Sequence, residues 1–441
     1  MSIHTLLIYL GICFFFSLPT YAQEDAENTD FLFEKTLTSS NGQSKKFRIL
    51  SYDENQIVVH LNGKDVVIPL EDLSEKDQAF FLNRDLKQDQ SEMRMNRILS
   101  HMSERFTHED RLKCLTKGGG KPIYDEKIIL ALTWMKKTQN IDGSWKAQGK
   151  PVGMTGLALL AYLGHGETPV SPDFGLAVEN AIIYLIKVGE KNRGKLATST
   201  TSKTWCYEHA IATYALAEAY IICKAHKISI PKLKETVTTA GLHIIDSQHD
   251  SGGWDYGYNT DGTRGGDTSI TCWHLQALKA CKLSKLLDQE ILDLSVERGL
   301  KYFEGAKNGK GTIGYGTNGN NLSQGPTMTP GAVLCYQQWG RGNRSFTRNG
   351  IKWIASNHTF VYKTEANLYM HYFSSQAMIN AGGNAWANYN ARTMPNLAAA
   401  QNEEGSWDIP GGASHGMSSK HYATCLSALM LEVYYRYSPQ M

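Results

Sequence analysis

The sequence predicts a mainly α protein, with about six helix hairpins closed into a ring and a small β module in front of it. Three observations carry this expectation. Amphipathic helical patterns alternate with helical stretches that are apolar nearly all round, and the pair recurs six times. The spacing of the pairs, about 50 residues, is that of units that bury their apolar faces only against neighbours. One phrase, Gln-x-x-x-Gly-x-Trp, interrupts the pattern three times, as "QNIDGSW" (Gln139 to Trp145), "QHDSGGW" (Gln248 to Trp254) and "QNEEGSW" (Gln401 to Trp407).

The chain begins MSIHTLLIYLGICFFFSLPTYAQ, an apolar run from Leu6 to Leu18 followed by Thr20-Tyr21-Ala22, which reads as a signal peptide over residues 1–22. Its first residues lack Lys and Arg, so an uncleaved anchor is the alternative, although the run is short for a span of about 20 residues. Beyond it no segment is apolar for long enough to cross a membrane. The expected location is therefore exported: periplasm, cell envelope or extracellular space. A net charge of +2 from 45 basic and 43 acidic residues gives no basic stripe for nucleic acid. Seven cysteines follow Cys13, scattered and mostly in apolar helical stretches, so no disulfide scaffold is expected.

From Phe47 to Phe81, β-branched runs flank Asn62-Gly63, a pair suited to a tight hairpin turn, and Ser74 with Asp77 suggests a capped short helix. Gly63-Lys64, the Val66 to Pro69 strand and "LSEKDQAF" resemble the first homology domain of the Sla adaptor proteins (SHD1), an SH3-like β unit, over residues 33–83. The resemblance implies a protein partner; a plain spacer domain is the alternative. Residues 84–116 are strongly charged and poor in apolar residues, and read as a partly helical linker.

The first pair joins Ile128, Ala131, Leu132 and Met135, spaced along one helix face, to the all-apolar "GMTGLALLAYLGHG". Five pairs follow, whose second members begin "CYEHAIATYALAEAYIIC", "GDTSITCWHLQALKAC", "TMTPGAVLCYQQWG", "EANLYMHYFSSQAMINAGG" and "SSKHYATCLSALMLEVYYRY". A ring puts the apolar helices inside; an open solenoid is the alternative. The three Gln-Trp phrases resemble the QW repeats of squalene and hopene cyclases. Residues 117–441 as a whole resemble the terpenoid cyclase and protein prenyltransferase superfamily of (α/α)6 toroids, and more closely the exported toroid proteins of planctomycete-like bacteria. Within the phrase, Gln, Gly and Trp recur while Asp142 becomes Ser251 and then Glu404, so the phrase reads as architecture.

Function is then sought where the inner helices begin. The candidate acid and base groups there are Glu208, His209, Asp267, His371 and His421, and the candidate ligand-binding residues are Tyr207, Thr271, Trp273, Tyr369, Tyr372 and Tyr422. Asp267 is equally a helix cap. The Asp-x-Asp-Asp acid needed for squalene cyclisation is absent. A prenyltransferase-like zinc set of Asp267, Cys272 and His421 has the wrong spacing, since five helical positions turn Cys272 about 140° from Asp267. A Glu208–Asp267 carboxylate pair for glycoside cleavage stays open. "GASHG" around Ser414 lacks the strand a nucleophile elbow needs, "GYGTNG" follows a helix rather than a strand, and "TKGGGKP" lacks the final Ser or Thr of a phosphate loop. No metal or cofactor is expected. The leading expectation is a ligand- or protein-binding scaffold of the cell envelope; the alternative is an exported enzyme acting on a glycan or lipid in the cavity; a purely structural envelope component is the third reading.

Overall fold

The computed structural model describes residues 31–61, 64–83, 102–147, 149–308, 312–317, 326–357, 359–411 and 419–436. The expected signal peptide, the Asn62-Gly63 turn and Ser414 lie outside them. The chain divides into two compact units at Ser100/His101.

The first unit is an antiparallel meander of β1 (Phe33–Thr38), β2 (Ser44–Tyr52), β3 (Gln56–Leu61) and β4 (Lys64–Pro69), followed by helix α1 (Glu75–Leu82). Alternation puts Leu37, Phe47, Ile49, Ile57, Val59 and Ile68 on one face, where they pack with Tyr52 and Phe81. Leu61 pairs with Lys64, so β3 and β4 are joined by two residues. Ser74 caps α1 by accepting from Asp77 N, and the Asp77 carboxylate accepts from Thr38 N (2.8 Å), tying the helix to the sheet.

The second unit opens with α2 (His108–Lys117). Six helix pairs follow. The outer members are α3 (Ile123–Thr138), α5 (Gly175–Lys191), α7 (Leu233–Asp246), α9 (Gln289–Gly305), α11 (Ser345–Asn357) and α13 (Gly383–Ala399). The inner members are α4 (Pro151–Gly164), α6 (Trp205–Ala225), α8 (Thr268–Ser284), α10 (Thr329–Gln338), α12 (Leu368–Ala381) and α14 (Lys420–Leu431), with the short α15 (Val433–Arg436) behind. Each inner helix packs on the next, and α14 packs on α4, so the ring is closed. Enclosure explains the composition: every residue of α4 from Val152 to Gly164 is buried, whereas α5 buries one stripe.

The Gln-Trp phrases make the same joint three times. The glutamine side chain donates to a carbonyl of its own loop and to one on the next outer helix: Gln139 to Gly143 O and Ala177 O (3.0 and 2.9 Å), Gln248 to Gly252 O and Ser295 O (2.6 and 2.8 Å), Gln401 to Gly405 O and Lys127 O (2.8 and 2.7 Å). The last of these ties repeat six back to α3. The tryptophan indoles donate to Met135 O, Ile244 O and Leu397 O, at the ends of their own outer helices. Their backbone amides donate to Thr155, Thr271 and Thr424 Oγ1 on the inner helices. The glycines hold positive φ (87°, 93° and 99°), with the place of a Cβ 2.3, 2.4 and 2.2 Å from a carbonyl oxygen of the next outer helix. A fourth joint keeps only the threonine, where Ile313 N donates to Thr329 Oγ1 (3.1 Å).

The reading of residues 84–116 as a linker needs correction in its second half. Residues 102–117 belong to the second unit, and Arg105 and Arg111 are buried there. Arg105 donates to Glu218 (2.6 Å), Leu163 O (3.2 Å) and Arg436 O (3.1 Å), and Arg436 donates to Glu218 (2.8 Å) and Leu160 O. Arg111 meets Asp125 (3.0 Å). Leu163 lies in the last turn of α4 and Glu218 about two turns before the end of α6, so these arginines close the C-terminal end of the ring. Charge made the segment look solvated; pairing with carboxylates far away in sequence is what buries it.

Candidate binding site

All inner helices run in one direction, so their first turns form one end of the ring. Most of the predicted acid and base groups found near this end are committed to packing. The Glu208 carboxylate accepts from Val152 N (3.2 Å) and Gly153 N (3.4 Å) and lies 3.7 Å from Lys150 Nζ, so it caps the neighbouring helix α4. Burial raises its pKa, against the pull of Lys150 and the two amides. His209 accepts from Leu196 N through Nδ1 (2.9 Å) and donates from Nε2 to Ala240 O (3.1 Å). Burial keeps it neutral, well below the usual histidine range. His371 accepts from Tyr389 OH (2.9 Å) and donates to Thr359 O (3.0 Å). His421 donates to Met154 O (3.2 Å) and is pushed down to about 4 by burial. These four groups face different partners and do not converge on one space. Glu208→Ala, which orphans two helix N–H groups, is expected to cost about 2 kcal/mol of stability in chemical denaturation.

Three predicted ligand contacts are also structural. Thr271 Oγ1 is part of the second joint. Trp273 on α8 stacks on Tyr372 of α12 (5.3 Å, 17° between planes), across the ring from one another, and they are 2% and 1% exposed. This buried aromatic pair plugs the space between α8 and α12.

What converges is a cluster of tyrosines at the mouth formed by the first turns of the inner helices. Tyr207, Tyr369 and Tyr422, each in the first turn of its helix, are partly exposed, as is Tyr256 in the loop after Trp254. Tyr207 OH donates to Ser269 Oγ (3.0 Å) and lies 3.4 Å from Tyr256 OH, and Ser269 Oγ also bonds Tyr369 OH. Burial, then the Asp267 carboxylate, push the Tyr207 hydroxyl well above the phenol range, so it works as a neutral hydrogen-bonding group. Asp267 caps α8 through Ser269 N (2.9 Å) and Ile270 N (3.1 Å) and also holds Arg264 (2.8 Å). Burial pushes its carboxyl up to about 6, while the amides and Arg264 pull it down. The Arg264 guanidinium lies over the Tyr256 ring (4.6 Å) and 3.6 Å from Asp255. Asp267 is thus a helix cap that also holds Arg264. Tyr256, Arg264 and Ser269 were missed; the Tyr256 signal is its place two residues after a joint tryptophan.

Comparison with solved structures places this architecture among known ones. The ring aligns with a GH76 α-mannanase of Bacteroides thetaiotaomicron at TM-score 0.52 and 12% identity, covering 71% of this chain and 96% of that one. The fold is an α/α toroid. A possible GH105 member from Salmonella enterica (TM-score 0.47, 11% identity, 71% and 94% coverage) and the type II terpene cyclase MstE of Scytonema (TM-score 0.44, 11% identity, 73% and 100% coverage) align more loosely with the toroid. At such identities the likeness shows the fold alone. No protein-family model matches the chain, and no curated protein matches it in sequence. Among the described residues, no helix is long and apolar enough to cross a membrane.

Proposed function

We propose that the protein is an exported, non-catalytic binding scaffold that holds a neutral glycan at the tyrosine mouth of its toroid. The observation that carries this reading is the Tyr207–Ser269–Tyr369 hydroxyl chain, partly open to solvent and flanked by Tyr256, Tyr422 and the Arg264–Asp267 pair. Aromatic rings offer faces to the apolar side of a sugar, and neutral hydroxyls exchange hydrogen bonds with its polar edge. An apolar ligand would offer those hydroxyls no hydrogen bond in exchange for the water it displaced, and the buried Trp273–Tyr372 plug occupies space that a buried lipid would need. Catalysis is disfavoured because Glu208, His209, His371 and His421 are each bound into the fold. The SHD1-like unit supplies a second surface, for a protein partner, as its resemblance to the first homology domain of the Sla adaptor proteins implies.

Saturation-transfer NMR of the full chain against a panel of neutral oligosaccharides tests the reading. Tyr207→Phe and Tyr369→Phe, which keep the rings, are each expected to weaken binding about tenfold. Release of reducing ends by the wild type, or binding of detergent-dispersed lipid and no glycan, would sink it.

A further inference from the structure

We propose that Met135, His421 and Cys425 form a three-coordinate site for copper(I) at the seam where the toroid closes. His421 and Cys425 are one turn apart on α14 and share a face. Cys425 Sγ lies 3.4 Å from His421 Nε2 and 3.6 Å from Met135 Sδ, which α3 brings across the seam. Metal bonds of about 2.0 Å to nitrogen and about 2.3 Å to sulfur put trigonal donors roughly 3.7 to 4.0 Å apart, so the two contacts of Cys425 Sγ need to lengthen by only a few tenths of an ångström. Trp145 stacks on the His421 imidazole (5.8 Å, 16°) and Trp134 lies 6.2 Å away (29°), which fixes the ring.

Two chemical arguments select the ion. Thiolate, thioether and imidazole are soft or intermediate donors, and this set favours copper(I) over hard cations. Met135 and Cys425 are 0% exposed and His421 is 8% exposed, so the bound ion sits in an apolar interior. One thiolate neutralises one monovalent cation there, whereas zinc would leave a buried positive charge and an unmet fourth ligand. Among the described residues no three His, Cys, Asp or Glu side chains are placed to hold a metal, so the thioether is the donor that completes the set. On binding, the Cys425 thiol releases its proton to solvent and sulfur bonds the metal. The His421 proton leaves Nε2, where it bonds Met154 O, for Nδ1, which has no hydrogen-bond partner among the described residues. Copper enters and remains as copper(I), so no electron is exchanged.

The test is anaerobic competition of the full-length protein with the copper(I) indicator bathocuproine disulfonate, on folded protein and on protein refolded with the metal. One equivalent is expected to be withdrawn, with a thermal midpoint that rises with copper(I) and not with zinc. Cys425→Ser is expected to weaken copper(I) binding about 100-fold and the volume-conserving Met135→Leu about tenfold, while Cys272→Ser changes nothing. If Cys425→Ser fails to fold, Met135→Leu decides alone. The proposal is overturned if the wild type leaves the indicator loaded in both preparations, or if folded variants at Met135 and Cys425 withdraw copper as the wild type does.

Discussion

Gly405→Ala is expected to cost the toroid about 3 to 5 kcal/mol, a loss few single methyl additions produce. At φ 99° the backbone already disfavours a side chain, and the added Cβ would stand 2.2 Å from Leu130 O on α3. Relief requires moving α3 away from the last joint, which lengthens the Gln401 bond to Lys127 O and uncovers Trp407, a fully buried residue. Gly149→Ala is the control: it too has positive φ (69°) but nothing within 4 Å of the new atom, so about 1 kcal/mol is expected from strain alone. Urea unfolding of the two variants separates clash from strain. Equal losses would mean that the joint yields easily and does not define the ring.

The second large effect concerns pH. Glu432 is fully buried at the C-terminal end of the ring, and neither of its carboxylate oxygens has a hydrogen-bond partner among the described residues. Arg436 lies 3.6 Å away but is already bonded to Glu218, and burial pushes the Glu432 carboxyl up to about 8 despite Arg436, His165 and Arg105. A carboxyl whose folded pKa lies above its unfolded value of 4.5 contributes stability below 4.5, and this contribution is lost as pH rises through about 8. Glu432→Gln removes the titration and keeps the shape. Its stability should match the wild type near pH 4.5 and exceed it increasingly above, by about 3 to 5 kcal/mol beyond pH 8. Parallel stability curves for the two proteins between pH 5 and 9 would show that Glu432 stays ionised in the fold.

The helix pairs and their joints were legible in the sequence because both are local. A buried helix betrays itself by lacking a polar face, and the Gln, Gly and Trp of the joint recur at fixed spacing within seven residues, although the glutamine and glycine also meet the next outer helix. The binding end was only partly legible. Tyr207, Tyr369 and Tyr422 could be placed in first turns, but whether a first-turn side chain faces the mouth or a neighbouring helix depends on partners from other repeats. His209 meets Leu196 N and Ala240 O, and Glu208 meets the start of α4; neither partner follows from spacing. The closing arginines were invisible for the same reason. Arg105 and Glu218 are 113 residues apart, and nothing in a charged stretch tells which of its charges finds an opposite in the interior.

The bond from Gln401 to Lys127 spans 274 residues, and so does the order of events on a ribosome. The face of α3 and α4 that receives α14 has no cover until the final repeat has emerged, roughly 15 to 55 seconds later at ordinary rates of synthesis. For that interval the nascent chain is an open arc with an apolar edge, five pairs long and sticky. Anything that shields this edge, a chaperone or a transport channel, therefore acts on the same surface that the last helix pair will occupy, and must let go before the circle can shut.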